Sequence, residues 1–173
     1  PEGALLTEPA STNLITYPIS FGNNYWTKSG ASIEGDSSTA GSELVTNGDF
    51  ATDTDWTKVN NATISGGIAT ISGDSGVADL RQDSIIPADT VSKIQFTVVS
   101  STITSSTGLQ LMSTYGVGDI STDSDGNYLK DVGTHTVMGT SSTLDAIFFR
   151  VADGAGAVTI DNVSLKEVQG FEA

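Results

Sequence analysis

Two side chains late in the sequence stand out for what they could bind. In Ala146-Ile147-Phe148-Phe149-Arg150-Val151 the two-residue period of a strand sends Ile147, Phe149 and Val151 to one face and Phe148 and Arg150 to the other. An outward ring beside a guanidinium suits a ligand that is polar at its rim and apolar on its faces, such as a sugar. The ring takes the C–H face, and fixed donors and acceptors take the hydroxyls. Gln110, Tyr115 and Tyr128 occupy strand or loop positions from which they could complete that surface. The competing reading of an outward Phe148 is cover by the N-terminal segment or by a neighbouring subunit.

Covalent and hydrolytic chemistry has less to work with. The chain has no cysteine and one histidine, so thiol nucleophiles, Cys-based metal sites and multi-histidine zinc or iron sites are excluded, and a Ser-His-Asp triad has one candidate base, His135. His135 sits in Thr134-His135-Thr136-Val137, where strand alternation reads it as a surface or half-buried imidazole. Glycoside hydrolysis needs two carboxylates at a defined separation, and the sequence places no such pair across a cleft. A non-enzyme is expected. Asp123-Ser124-Asp125-Gly126-Asn127 imitates the first half of an EF-hand loop, but Thr134 stands where the bidentate Glu should be. An Asp-Gly turn between strands accounts for it.

Charge narrows the partners. With 173 residues, 7 Lys and Arg and 21 Asp and Glu, the formal net charge is −14. Such a field repels phosphate backbones and anionic lipid headgroups, so neither nucleic acid binding nor membrane insertion is expected. No apolar run approaches the ~20 residues of a membrane span. Hydrophobic residues at 37% suffice for a core. Charged residues at 16% fall below the roughly 25% of ordinary globular domains, so the acidity comes from scarce bases.

The elements that must position these residues are strands. Alternating or β-branched runs at 62–64, 68–72, 78–82, 93–100, 109–115, 135–138, 146–152 and 158–168 are separated by Gly, Ser, Asn and Asp clusters. Helical periodicity is absent apart from one candidate turn at 86–89. The pattern predicts an all-β fold, an antiparallel β-sandwich. Asn47-Gly48 and Ser65-Gly66-Gly67 supply turn positions where positive φ is cheap, and Trp56 is expected to cap one end of the core. Residues 1–18 hold three of the four prolines and 34–42 form a Gly, Ser and Thr linker, which places a boundary near Ser42. Residues 1–42 then form an extended adaptor and 43–173 the sandwich module. The adaptor carries a truncated repeat: Phe21, Trp26-Thr27-Lys28 and Ile33 echo Phe50, Trp56-Thr57-Lys58 and Ile64.

From Glu43 onward the order of features resembles a family. Leu44-Val45-Thr46-Asn47-Gly48-Asp49-Phe50, then Trp56, the Gly66-Gly67 hairpin and the closing Val158-Thr159-Ile160-Asp161-Asn162-Val163-Ser164-Leu165, are similar to carbohydrate-binding modules of the family 4/9 type. The resemblance implies a galactose-binding-like jelly roll whose first and last strands pair. It also implies a structural calcium ion where those strands meet, with Asp161 in the acidic position and Asp49 beside it. Ala51 stands where the family often continues with Glu, which removes one ligand.

A second resemblance concerns the adaptor. Gly3-Ala4-Leu5-Leu6-Thr7-Glu8-Pro9-Ala10-Ser11-Thr12-Asn13-Leu14, with Tyr17 and Trp26-Thr27-Lys28-Ser29-Gly30, looks like a segment found in bacteriophage tail, fibre and other virion proteins just before such jelly rolls. The two resemblances imply a non-catalytic module on the virion surface, in a tail fibre or as capsid decoration, used for adhesion to host or environmental glycans. Its expected partners are glycans and other virion proteins, with a homo-oligomer such as a trimer. Two alternatives are a purely architectural assembly or decoration protein that binds no sugar, and the carbohydrate-binding module of a secreted glycoside hydrolase.

Overall fold

The computed structural model describes residues 40–112, 118–141 and 145–168. Within them lie ten strands and no helix: β1 (Ala40–Glu43), β2 (Thr57–Val59), β3 (Ala62–Ser65), β4 (Ile68–Ser72), β5 (Ala78–Ile86), β6 (Val91–Ser101), β7 (Leu109–Leu111), β8 (Gly133–Thr140), β9 (Asp145–Val151) and β10 (Ala157–Val168). One sheet runs β3-β4-β10-β6-β8 with β1 also paired to β10, and the other runs β2-β5-β9-β7. Every strand pairing is antiparallel. The two sheets pack as a jelly-roll-like sandwich, the fold class that the strand rhythm predicts.

Alternation builds the core. In β6, Ile94, Phe96 and Val98 are buried, and in β9 so are Ile147, Phe149 and Val151. The sheets meet where the Phe96 and Phe149 rings pack edge-on at 4.9 Å. Phe149 continues the layer to Trp56 at 6.5 Å, and Trp56 to Phe50 at 5.3 Å, so Trp56 does cap the core. β10 stays amphipathic only because it is bulged. Val158 and Ile160 face inward, the register shifts between Asp161 and Ser164, and Val163 and Leu165 then face inward in their turn. Asn162, at φ 53°, takes the left-handed conformation that makes this change of parity.

The paired first and last strands are present. Ala40 pairs with Val168 and Glu43 with Lys166. The Glu43 carboxylate accepts hydrogen bonds from the Leu165 amide at 2.7 Å and the Ser164 hydroxyl at 2.5 Å, so one side chain ties β1 to β10. β1 begins inside the expected linker, because Ala-Gly-Ser-Glu carries no apolar alternation and is held by backbone pairing. At the opening turn, Asn47 adopts the positive φ of 50°. Gly48 is required for a different reason: a Cβ there would lie 2.0 Å from the Val163 carbonyl oxygen.

The helical turn expected at 86–89 does not form. Ala88 instead bridges Ser141, the Asp89 amide donates to the Ser141 carbonyl at 2.7 Å, and Asp89 turns at φ 58°. Pro87 ends β5 and the chain reverses into β6. The strand expected at 109–115 forms β7 only over Leu109–Leu111, Met112 is not in it, and 113–115, like the first copy of the truncated repeat, lie outside the described residues.

Candidate ligand-binding face

Strand order brings together residues that are far apart in sequence. Directly opposed residues of an antiparallel ladder share a face. Arg81 on β5 opposes Phe148 on β9, Asp79 opposes Arg150, and Gln110 on β7 also opposes Arg150. The outer face of the four-stranded sheet therefore carries a row Asp79, Arg150, Gln110 and, beside it, the pair Arg81 and Phe148. Leu80, Phe149, Val151, Leu109 and Leu111 fill the core from the same strands.

The side chains form one layer. Arg150 Nε donates to Asp79 Oδ1 at 2.7 Å and Nη2 to Oδ2 at 3.0 Å, the bidentate geometry that guanidinium and carboxylate planes favour. The Asp79 hydrogen bonds hold the guanidinium above its ordinary pKa against partial burial, helped by the charges of Asp79 and Asp119. Arg150 Cζ lies 5.0 Å from the Phe148 ring centroid and Arg81 Cζ 5.6 Å, so two cations stack against one half-buried ring. Arg81 is less committed than Arg150. Its Nε is buried without a hydrogen-bond partner, and the Asp83 carboxylate stands 3.4 Å away without making one.

Three of the residues expected at a sugar site, Phe148, Arg150 and Gln110, are thus neighbours. Tyr128 is elsewhere: it lies in the β7–β8 connection, 44% exposed, with the Lys130 ammonium 5.8 Å from its ring centroid. Tyr115 lies outside the described residues. Asp79 and Arg81 escaped the sequence reading. Their parity along β5 was legible, but the pairing of β5 with β9 was not.

Asp49 and Asp161, the residues implied for calcium, each serve their own backbone. Asp49 Oδ1 accepts from the Ala51 amide at 3.3 Å, and Asp161 Oδ1 from the Asn162 amide at 2.6 Å. Calcium takes about 6–8 oxygens. Among the described residues, no three His, Cys, Asp or Glu side chains come together to hold a metal ion.

His135 is buried, 3% exposed, and so is Asp123, at 8%. The expectation of a surface or half-buried imidazole missed the partner. His135 Nδ1 lies 2.9 Å from Asp123 Oδ2, and Nε2 lies 2.8 Å from the Asp131 carbonyl oxygen. Both groups are acceptors, so each contact calls for a proton on the ring nitrogen that faces it. Asp123 Oδ1 also accepts from the Asp125 and Asn127 amides at 3.0 and 2.8 Å. The acidic motif is a turn clamped onto β8 by the imidazole.

No protein-family model matches the chain, and a search of curated proteins found no match. Solved structures that the chain resembles include the enzymatically active domain of tailspike protein 4 from bacteriophage CBA120, at 15% identity and a TM-score of 0.47 over 73% of this chain. This chain spans 21% of that tailspike chain. Another is the CBM22-1 xylan-binding domain of Paenibacillus barcinonensis Xyn10C, at 12% identity and a TM-score of 0.44, covering 75% of this chain and 97% of that one.

Proposed function

We propose that the chain is a non-catalytic, carbohydrate-binding-like module that takes a glycan on the outer face of its four-stranded sheet and is displayed on a phage particle, in a tail fibre or as capsid decoration. One observation carries the reading: a half-buried Phe148 ring on that face, stacked with Arg81 and Arg150 and bordered by Asp79 and Gln110. The uncovered part of the ring would meet the C–H face of a sugar. Arg150 and Gln110 offer donors to its hydroxyls, and Asp79 and Gln110 offer acceptors. Because Asp79 already holds Arg150, ordering these groups on binding costs less than it would for free side chains.

A non-catalytic role is supported by the commitment of the one imidazole to Asp123 and the Asp131 carbonyl. Placement on a virion rests on the likeness of residues 3–30 to a segment of phage appendage proteins. A glycan array tests the core of the proposal. Binding should appear for at least one glycan class and be lost in Phe148→Ala and Arg150→Ala with the fold intact. A wild-type chain that binds nothing on the array would sink it, and Phe148 would then be a packing residue of an architectural protein.

A further inference from the structure

Two arginines lie over the Phe148 ring, but only one of them is held by a bidentate carboxylate. Arg150 gives one edge of its fork, Nε and Nη2, to Asp79. Arg81 makes no hydrogen bond through Nε, and its ion-pair partner, Asp83, is an exposed carboxylate at 3.4 Å. Exposed pairs of this kind contribute little and are displaced readily. The side chain of Arg81 is 38% exposed, so the terminal nitrogens remain open to a ligand while the ring holds the guanidinium plane in place.

From this asymmetry we infer that the glycan taken by this face carries a carboxylate, as in a uronic or sialic acid residue, and that Arg81 is the residue that reads it. The inference rests on the glycan reading of the same face and deepens it. A planar guanidinium with two parallel N–H groups matches a carboxylate plane, a fit that neither a hydroxyl nor a lysine ammonium reproduces. The rest of the face suits the remainder of a sugar ring, with Phe148 for its apolar side and Asp79, Arg150 and Gln110 for its hydroxyls. The formal charge of −14 sets a limit on the ligand. Repulsion acts over about 8 Å at physiological salt, so an isolated acidic residue on a mostly neutral glycan is accommodated and a densely charged polyanion is not.

The experiment uses the wild-type chain and matched oligosaccharide pairs that differ only in a hexose replaced by its uronic acid, with affinities from calorimetry. The acidic member should bind about tenfold more tightly or better. In Arg81→Gln that ratio should fall close to one, even where binding of the neutral member also weakens. Arg81→Lys should recover only part of the ratio, because it restores charge without the fork. Circular dichroism and a thermal melt confirm that each variant is folded. Equal or tighter binding of the neutral member overturns the inference and leaves the glycan site standing, as does an unchanged ratio in Arg81→Gln. Tighter binding of a polysulfated chain than of the singly charged ligand also overturns it. Failure to bind any member of any pair removes the glycan reading itself.

Discussion

Asp79 and Arg150 face each other across the β5–β9 ladder, 71 positions apart in sequence, and share two hydrogen bonds of 2.7 and 3.0 Å. The pair does two things at once. It satisfies a carboxylate that is only 7% exposed, and it fixes the guanidinium plane against the Phe148 ring. Asp79→Asn keeps the shape and removes the charge. With the Arg150 side chain 32% exposed, solvent screening limits the loss to about 1–2 kcal/mol in urea denaturation. A double-mutant cycle with Arg150→Gln should return a coupling of the same order. Additive effects would show that the two groups are neighbours without being partners.

Acid should open the turn at residues 123–127. Burial raises the Asp123 pKa, but hydrogen bonds from His135, Asn127 and Asp125 together outweigh burial and leave it below the ordinary 3.8. A carboxylate depressed in the folded state contributes stability above its unfolded pKa and loses it as pH falls through the folded one. Stability should therefore be level in this respect above about pH 5 and decline below 3.8. Asp123→Asn should flatten that part of the acid limb and cost about 1.5–3 kcal/mol at neutral pH. Parallel acid limbs for the two proteins, measured by chemical denaturation, would contradict the assignment.

Gly48 should tolerate no side chain. The Val163 amide donates to the Gly48 carbonyl at 2.8 Å, and an added Cβ would meet the Val163 carbonyl oxygen at 2.0 Å. Gly48→Ala must push the opening turn away from β10, and overpacking of this kind costs about 1–3 kcal/mol. The check is a thermal melt. A midpoint equal to wild type would mean that the turn and β10 are less closely apposed.

Much of the fold was legible because alternation survives in single strands. Ile94, Phe96 and Val98 declare the inner face of β6, and Ile147, Phe149 and Val151 that of β9, without reference to any neighbour. β1 and β2 were not legible. Ala-Gly-Ser-Glu and Thr-Lys-Val are too short to alternate and form because β10 and β5 offer backbone groups to pair with. The candidate site divides along the same line. Phe148, Arg150 and Gln110 follow from parity within their own strands, whereas Asp79 and Arg81 join them only through the order β2-β5-β9-β7, which local pattern does not encode. His135 was misread for a related reason: alternation gives its face but not Asp123, which reaches it from 12 positions away.

Divalent cations should matter little to stability. Asp49 and Asp161 each give one carboxylate oxygen to a neighbouring backbone amide, and among the described residues no three His, Cys, Asp or Glu side chains gather to hold a metal ion. Melts in EDTA and in millimolar calcium should share one midpoint. A calcium-dependent rise would reveal a native-state ligand, since such a ligand raises apparent stability by mass action, and would direct attention to the backbone carbonyls near β1 and β10.

The central claim concerns the Phe148 layer. Its most direct measurement is the affinity of wild type and Phe148→Ala for the best glycan found on an array, with thermal melts confirming that both are folded. Removal of the ring should weaken binding by about tenfold or more. Equal affinity in a folded Phe148→Ala protein would contradict the assignment of this face as the sugar platform.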